Sequence, residues 1–128
     1  MTRTESDTIA LDVDCRWFSV ARGPRVDISR RPVLRRIMRV LVDKRLRAPG
    51  ETVTLEELIR TVWPGETFVR DSALNRLRVS IITLRRFGLR AALLTGTTTR
   101  GYHLDPAVPL LLDADNTMPS DEQLSVAS

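Results

Sequence analysis

One segment, residues 71–86, constrains the fold most strongly, because it fits a single helix with an apolar back and a polar front. At about 100° per residue, its large aliphatic side chains fall within one quarter of the helix circumference, the stripe that a helix needs to pack on a core. These side chains are Leu74, Leu77, Ile81 and Leu84, with Ala73 beside them. The opposite side carries Ser72, Asn75, Arg76, Val79, Thr83 and Arg86. The pattern predicts a helix over residues 72–87 with one buried and one exposed face.

The exposed face of this helix has the side-chain types that contact DNA. Arginine and asparagine make bidentate contacts with guanine and adenine edges in the major groove, while serine, threonine and a small apolar residue suit phosphates and the thymine methyl group. Almost no acidic residue interrupts the face. A solvated arginine-rich helix face is common by itself, so the rest of the chain has to decide between the two interpretations.

The charge of the chain is concentrated in its middle. The 128 residues carry a net charge of +4, and residues 22–100 hold 18 Lys or Arg against 7 Asp or Glu, a balance of +11. Residues 1–21 sum to −2 and residues 101–128 to −5. A basic segment of this kind favours a polyanion as partner, because neutralising phosphates releases counterions. The length, with 42% hydrophobic residues, is that of one domain.

Cysteine content and the N-terminal sequence suggest a cytoplasmic protein. Cys15 is the only cysteine, so neither an intramolecular disulfide nor a thiolate metal cluster can form. Residues 1–7 are polar and lack a signal-peptide core, and no apolar run approaches the length of a membrane span. We expect no cofactor, no metal and no membrane partner.

The remaining elements follow from periodicity and turn signals. Alternation places Ile9, Leu11 and Val13 on one side of a first strand and Asp12 and Asp14 on the other. Two more short strands, 17–20 and 26–28, complete an N-terminal antiparallel sheet. A first basic helix begins near Pro32 and runs through Leu46, and a short second helix begins at a capping box formed by Thr54 and Glu57.

The end of the chain adds a hairpin and a tail. Two β-prone runs, 93–95 and 102–104, flank a Gly-bounded polar tip and predict a β-hairpin. We therefore predict a domain over residues 8–106, preceded by a disordered N-terminus over 1–7. Residues 107–128 are predicted to be an acidic, largely disordered tail that contains an apolar patch at 108–112.

The order of these elements resembles a known family. Val26-Asp27-Ile28-Ser29 leads into the first helix, Val62-Trp63 ends the second, and Arg100-Gly101-Tyr102-His103-Leu104 is similar to the strand that closes such domains. From about Leu11 to Asp105 the chain resembles the winged helix-turn-helix, OmpR-type effector domain of bacterial response regulators. The segment 72–81 is closer still to the DNA-binding domain of antibiotic regulatory proteins, which has an Ala-x-Asn-x-Leu pattern there.

The resemblance implies an α+β fold and a transcriptional regulator of double-stranded DNA. The fold would be a winged helix-turn-helix with an N-terminal antiparallel sheet, three helices and a C-terminal β-hairpin wing. Helix 72–87 would enter the major groove, and the wing near Arg100 the minor groove. Homodimeric or tandem binding is expected because one winged helix covers little DNA, and RNA polymerase or another regulator is a possible partner.

The resemblance also assigns roles to individual residues. Arg76, Val79 and Thr83 would approach base edges, and Ser80, Arg85 and Arg86 would lie closer to phosphates. The full predicted DNA-binding set is Ser72, Asn75, Arg76, Arg78, Val79, Ser80, Thr83, Arg85, Arg86, Thr98 and Arg100. The chain departs from the families at three points: no receiver or activation domain is expected within these 128 residues, Ile82 and Thr83 stand where basic or polar residues are expected, and the wing tip carries little charge.

Other functions are less well supported by the sequence. His103 and Asp105 could belong to a hydrolytic triad on paper, but no nucleophile elbow, phosphate-binding glycine loop or zinc-helix motif accompanies them, so we expect no enzyme. Trp17 and Trp63 could stack on single-stranded bases, yet both follow apolar elements and are predicted to be core residues. Cys15 is expected to be a small buried residue rather than a redox sensor.

A protein-interaction adaptor is the main alternative. The apolar patch at 108–112 or the loop at 64–70 would dock on a partner, and DNA affinity would be weak and non-specific. Fold alone does not decide between a regulator and an adaptor, because function depends on the site.

Overall fold

The computed structural model describes residues 8–21, 23–65 and 70–113, which form an α+β arrangement of three α-helices and two small sheets. The predicted disordered N-terminus and residues 114–128 of the predicted tail lie outside the described residues. In chain order the elements are β1 (Ile9–Asp12), β2 (Trp17–Val20), β3 (Val26–Asp27), α1 (Pro32–Arg47), β4 (Val53–Thr54), α2 (Leu55–Val62), α3 (Arg70–Leu84), β5 (Leu93–Thr95), β6 (Gly101–Leu104) and β7 (Leu110–Asp113).

The first sheet has the order β3-β2-β1-β7 and is mixed. β1 pairs antiparallel with β2, and β2 with β3, as predicted, but β7 pairs parallel to β1 with Ile9 opposite Leu110. The three predicted strands are therefore antiparallel as expected, and the prediction missed the fourth strand, β7, which makes the sheet mixed. The ordered fold also continues to Asp113, past the predicted boundary at 106, because the apolar patch of the predicted tail finds its partner in a strand at the opposite end of the chain.

The turn between β1 and β2 also differs from the prediction. The strand ends at Asp12, so the expected alternation stops there: Asp12 is fully buried and Val13 is exposed. Arg16 donates to the Asp12 carboxylate from its backbone nitrogen and from its guanidinium, the shortest contact being 2.6 Å from Nε. Cys15 adopts a φ of 58° in this turn and is buried, as expected for a small core residue.

Helix α1 lies at the centre of the core. Its buried side chains are Leu34, Ile37, Met38, Leu41 and Val42. Pro32 occupies its first turn, where the missing N–H has no helical partner to lose. At the other end of the helix, Arg45 Nη2 donates to the carbonyl oxygens of Pro106 and Val108, which fixes the approach to β7. Val108 is itself buried in the core.

The second sheet has the order β4-β6-β5 and contains the predicted hairpin. Gly101 pairs with Thr54, and a Cβ atom at Gly101 would overlap the carbonyl oxygen of Val53, so only glycine permits this close approach of β6 to β4. Thr54 then caps α2, accepting a 3.0 Å hydrogen bond at Oγ1 from the Glu57 backbone nitrogen. This contact confirms the Thr54 half of the predicted capping box.

The third helix has the predicted phase. Leu77, Ile81 and Leu84 are buried, and Ala73 is buried beside them. The helix begins two residues before the predicted start and continues as a π-helical turn over Arg85–Leu89. Gly88 lies in this turn with a φ of 128°, a backbone conformation that glycine adopts readily.

The two tryptophans have different environments. Trp63 is buried at the end of α2, as predicted, whereas Trp17 is only half-buried. The Arg25 guanidinium carbon lies 3.8 Å from the centre of the Trp17 ring, so this ring forms a cation–π contact near the surface. Across residues 8–21, 23–65 and 70–113, no helix is long and apolar enough to cross a membrane.

Candidate nucleic-acid interface

The outward face of α3 carries most of the predicted contact residues. The aliphatic stripe on one side of α3 is buried in the core, whereas the opposite face of the helix is exposed to solvent. The exposed members of the predicted set on this helix are Ser72, Asn75, Arg76, Arg78 and Val79, and Arg86 is exposed on the turn that follows. Ser80, Thr83 and Arg85 are half-buried. Thr98 and Arg100 are exposed at the tip of the hairpin.

Arg76 lies on the side of α3 that faces the end of α2. Its guanidinium carbon is 5.6 Å from the centre of the Trp63 ring. An arginine held over an aromatic ring has fewer accessible rotamers, so part of the entropy cost of binding a ligand is already met. Arg76 is thus a guanidinium partly oriented by the fold at the edge of the exposed face.

Ser80 and Thr83 lie on the side of α3 that faces the start of α1. Their hydroxyl groups donate to the helix itself, from Ser80 Oγ to the Arg76 carbonyl at 3.0 Å and from Thr83 Oγ1 to the Val79 carbonyl at 2.9 Å. A direct hydrogen bond from either hydroxyl to a phosphate would require that hydrogen to leave the helix carbonyl. A cleft of about 290 Å³ separates the two helices, and Arg30 and Arg31 at the start of α1 form its other wall.

Arg85 connects α3 to the hairpin. Its Nε and Nη2 atoms donate to the Leu93 carbonyl oxygen at 3.0 and 2.9 Å, and Nη2 also reaches Thr95 Oγ1 at 3.2 Å. The guanidinium lies 5.7 Å from the centre of the Tyr102 ring. The sequence interpretation placed Arg85 near phosphates and missed this link, because the partners are eight and ten residues away along the chain. These contacts favour a positioning role, in which Arg85 fixes the hairpin against α3.

A second cleft, of about 250 Å³, lies between α3 and the hairpin. Arg78 from the helix and Arg100 from the hairpin tip both line it, together with the Tyr102 ring. The fold therefore brings two predicted contact residues from separate segments to the walls of one groove. Both arginines are exposed, so the groove is open to a phosphate-sized anion.

Helix α1 carries further arginines near the junction of the first sheet and α2. The predicted DNA-binding set did not include them. Arg35, Arg36 and Arg39 line one open groove. Arg36 Nη1 donates to the Val62 carbonyl at 2.9 Å, and Arg35 Nη2 donates to the Asp14 carbonyl at 3.0 Å. Both guanidinium groups cap carbonyls of neighbouring segments, which is a structural role that spacing along α1 does not reveal.

Cys15, which the sequence raised as a redox sensor or a small core residue, is buried. Burial raises the pKa of the Cys15 thiol to about 11, although Arg39 acts in the opposite direction. The thiol is therefore neutral near pH 7, which disfavours reactivity.

Among residues 8–21, 23–65 and 70–113, no cluster of three or more His, Cys, Asp or Glu side chains is arranged to hold a metal ion.

Comparison with known proteins adds no assignment: no family model matches the sequence, and neither a curated protein nor a solved structure is significantly similar to it.

Proposed function

We propose that this protein is a sequence-specific, double-stranded-DNA-binding transcriptional regulator whose described residues form a winged helix-turn-helix. One observation carries the proposal: α3 and the turn that follows it present Asn75, Arg76 and Arg86 on the side opposite the buried stripe. With 15 residues the helix is about 22 Å long, enough to follow a stretch of major groove. The helix would lie in the major groove and the β5–β6 hairpin would form the wing.

The flanks of α3 support this orientation. Arg30 and Arg31 stand across one cleft, and Arg78 and Arg100 line the other, so positive charge borders the helix on two sides. The two phosphate backbones border the major groove in the same way, and contacts to them fix the position of a helix between them. In this arrangement Arg86, Arg30 and Arg31 contact phosphates, Arg76 contacts a base edge, and Arg100 reaches the minor groove.

We place the protein in the bacterial cytoplasm, with DNA as its partner and no catalytic role. A single module of this size covers about 600 to 1,000 Å² of its surface on DNA, so specific binding requires a homodimer or tandem copies on repeated half-sites. Contact with RNA polymerase or with another regulator would convert occupancy into a change in transcription. A footprint that covers one half-site at full affinity would contradict the requirement for two copies.

The test is affinity selection from a random duplex pool across a salt series, followed by sequencing of the bound fraction. A regulator gives an enriched motif and a log-affinity that falls steeply with log salt concentration. The matched pair Arg86→Ala and Arg90→Ala controls for charge, since both arginines are exposed but only Arg86 belongs to the predicted set. Loss of affinity in both variants to the same extent would indicate non-specific attraction rather than a defined interface.

An adaptor is the second candidate, and one observation favours it. Leu111 and Leu112 on the edge strand β7 expose 59% and 39% of their surface. Edge strands with exposed apolar side chains are sites where another chain can add. If selection enriches no motif and binding disappears at physiological salt, the adaptor function replaces the regulator, and β7 becomes the surface to test by mutation.

A further inference from the structure

Two apolar side chains lie at the middle of the basic face of α3. Val79 exposes 54% of its surface and Ile82 exposes 49%, whereas Leu77 and Ile81 on the same helix are buried. Residues three apart on a helix are neighbours, with Cβ atoms about 5–6 Å apart, so the two side chains form one continuous apolar strip. We call Val79 and Ile82 the apolar pair.

Polar and basic side chains surround the apolar pair. On a helix, residues four apart share a face, which puts Asn75 next to Val79, and both Arg78 and Arg86 next to Ile82. A single exposed aliphatic residue needs no explanation. An aliphatic pair at the centre of a cationic face does need an explanation. A ligand that covers this face must offer negative charge and an apolar group within a few ångströms of each other.

In the major groove of DNA, thymine meets this requirement. Phosphates border the groove, guanine and adenine supply hydrogen-bond acceptors, and the 5-methyl group of thymine is the apolar group on the base-pair edges. Valine and isoleucine also suit this contact physically. Their branched side chains hold essentially one χ1 rotamer in a helix, so little conformational entropy is lost when they are covered.

We infer that the apolar pair reads thymine methyl groups, so that the DNA sites of this protein contain two thymines close together at the position covered by the centre of α3. The inference rests on the proposed function and adds Ile82 to the residues that determine specificity. Because base pairs are spaced about 3.4 Å apart, side chains 5–6 Å apart reach methyl groups within two base-pair steps of each other. These thymines occupy either strand, since the methyl group projects into the major groove from both orientations of the pair.

The test replaces single thymines in the selected duplex by deoxyuracil, which removes the methyl group and keeps the base pair. We expect two positions at which this replacement weakens binding about three- to fivefold, as the loss of one buried methyl group predicts. In Ile82→Ala one of the two positions becomes insensitive to the replacement, and in Val79→Ala the other does. Leu46→Ala is the matched control, because Leu46 is a similarly exposed aliphatic residue, 52% exposed, on a different helix.

Each outcome has a separate meaning. An enriched motif whose thymines all tolerate deoxyuracil, or a motif without thymine at its centre, overturns the inference and leaves the proposed function standing. No enriched motif overturns the proposed function itself. If Ile82→Ala and Val79→Ala keep the sensitivity of the wild type at both positions, the methyl groups are read by other residues and the inference fails. Thermal unfolding of each variant verifies that its fold is retained.

Discussion

Arg85 and Leu93 hold the hairpin against the third helix: the Leu93 carbonyl oxygen accepts hydrogen bonds from both Nε and Nη2 of Arg85, at 3.0 and 2.9 Å. These bonds fix the start of β5, and with it the base of the hairpin, relative to α3. Rigid placement matters for recognition, because a contact residue displaced by about 1 Å loses much of its binding energy.

Replacing Arg85 with alanine should therefore destabilise the protein, although the side chain is partly exposed. Hydrogen bonds from a charged group contribute roughly 1.5–3 kcal/mol, and the free energy of unfolding should fall by about that amount. Arg86→Ala removes the neighbouring, exposed arginine and should change it by less than about 0.5 kcal/mol. Urea denaturation of the two variants measures the difference, and equal stabilities would mean that the link to Leu93 is not structural.

Asp12 should make stability depend on pH. Burial by itself raises the pKa of this carboxyl group, but hydrogen bonds and charge from Arg16 lower it more, so the pKa lies below its ordinary value of 3.8. A carboxyl group with a lowered pKa in the folded state stabilises the fold above the ordinary value, and this contribution is lost as the pH falls through the folded-state pKa. Asp12→Asn should unfold more easily at neutral pH and lose stability less steeply on acidification.

A second aspartate provides the control for this pH dependence. Asp43 and Arg47 form an ion pair with the same spacing along the chain, 2.7 Å between carboxylate and guanidinium, but both side chains are about 60% exposed. Exposed pairs contribute little to stability. Unfolding measured between roughly pH 3 and pH 7 should show Asp43→Asn parallel to the wild type. If the curves of unfolding free energy against pH for Asp12→Asn and Asp43→Asn coincide, the buried Asp12–Arg16 pair contributes no more to stability than the exposed Asp43–Arg47 pair.

Leu77 and Val79 test the orientation of α3. Leu77→Ala empties a buried position and should lower the free energy of unfolding by about 2–5 kcal/mol. Val79→Ala truncates a side chain two residues away that is more than half exposed and should have an effect below about 0.5 kcal/mol. Similar losses in both variants would show that the helix has a different rotation about its axis.

The parallel strand β7 should be part of the stable fold. A chain ending after Pro106 lacks β7 and the buried Val108, and it should lose at least about 2 kcal/mol of unfolding free energy. A chain ending after Asp113 keeps both and is the matched control, which should be the more stable of the two truncated proteins. Thermal and urea unfolding of the two truncated proteins distinguish these expectations. Equal stability of the two truncated proteins would show that β7 does not contribute to the stability of the fold.

Arg76 and Arg86 should affect DNA binding differently. Arg76→Ala should relax base preference and cost roughly 1–3 kcal/mol on the selected site. Arg86→Ala should weaken all sequences alike and reduce the salt slope by about one. Competition assays between selected and random duplexes at several salt concentrations separate the two effects. Identical behaviour of the variants would contradict the division into base and phosphate contacts.

Local periodicity predicted the elements that depend on near neighbours. The 3.6-residue repeat of Leu77, Ile81 and Leu84 identified the buried side of α3, and the Thr54 and Glu57 pair marked the start of α2. Such patterns succeed because a helix buries one stripe wherever its core lies, and because a cap is completed within four residues. The exposed position of Asn75, Arg76 and Arg86 follows from the same repeat.

The sequence by itself thus determined the three helices, the C-terminal hairpin and the residues that α3 turns outward. Only the tertiary structure decided the parallel partner of β1, the burial of Asp12 and the link from Arg85 to Leu93. Each of these three features depends on a contact with another segment of the chain or on the path of a turn. Local hydrophobic periodicity specifies neither. Hydrophobic spacing specifies which side of an element is buried, whereas the partner that covers that side is chosen by the packing of the whole chain.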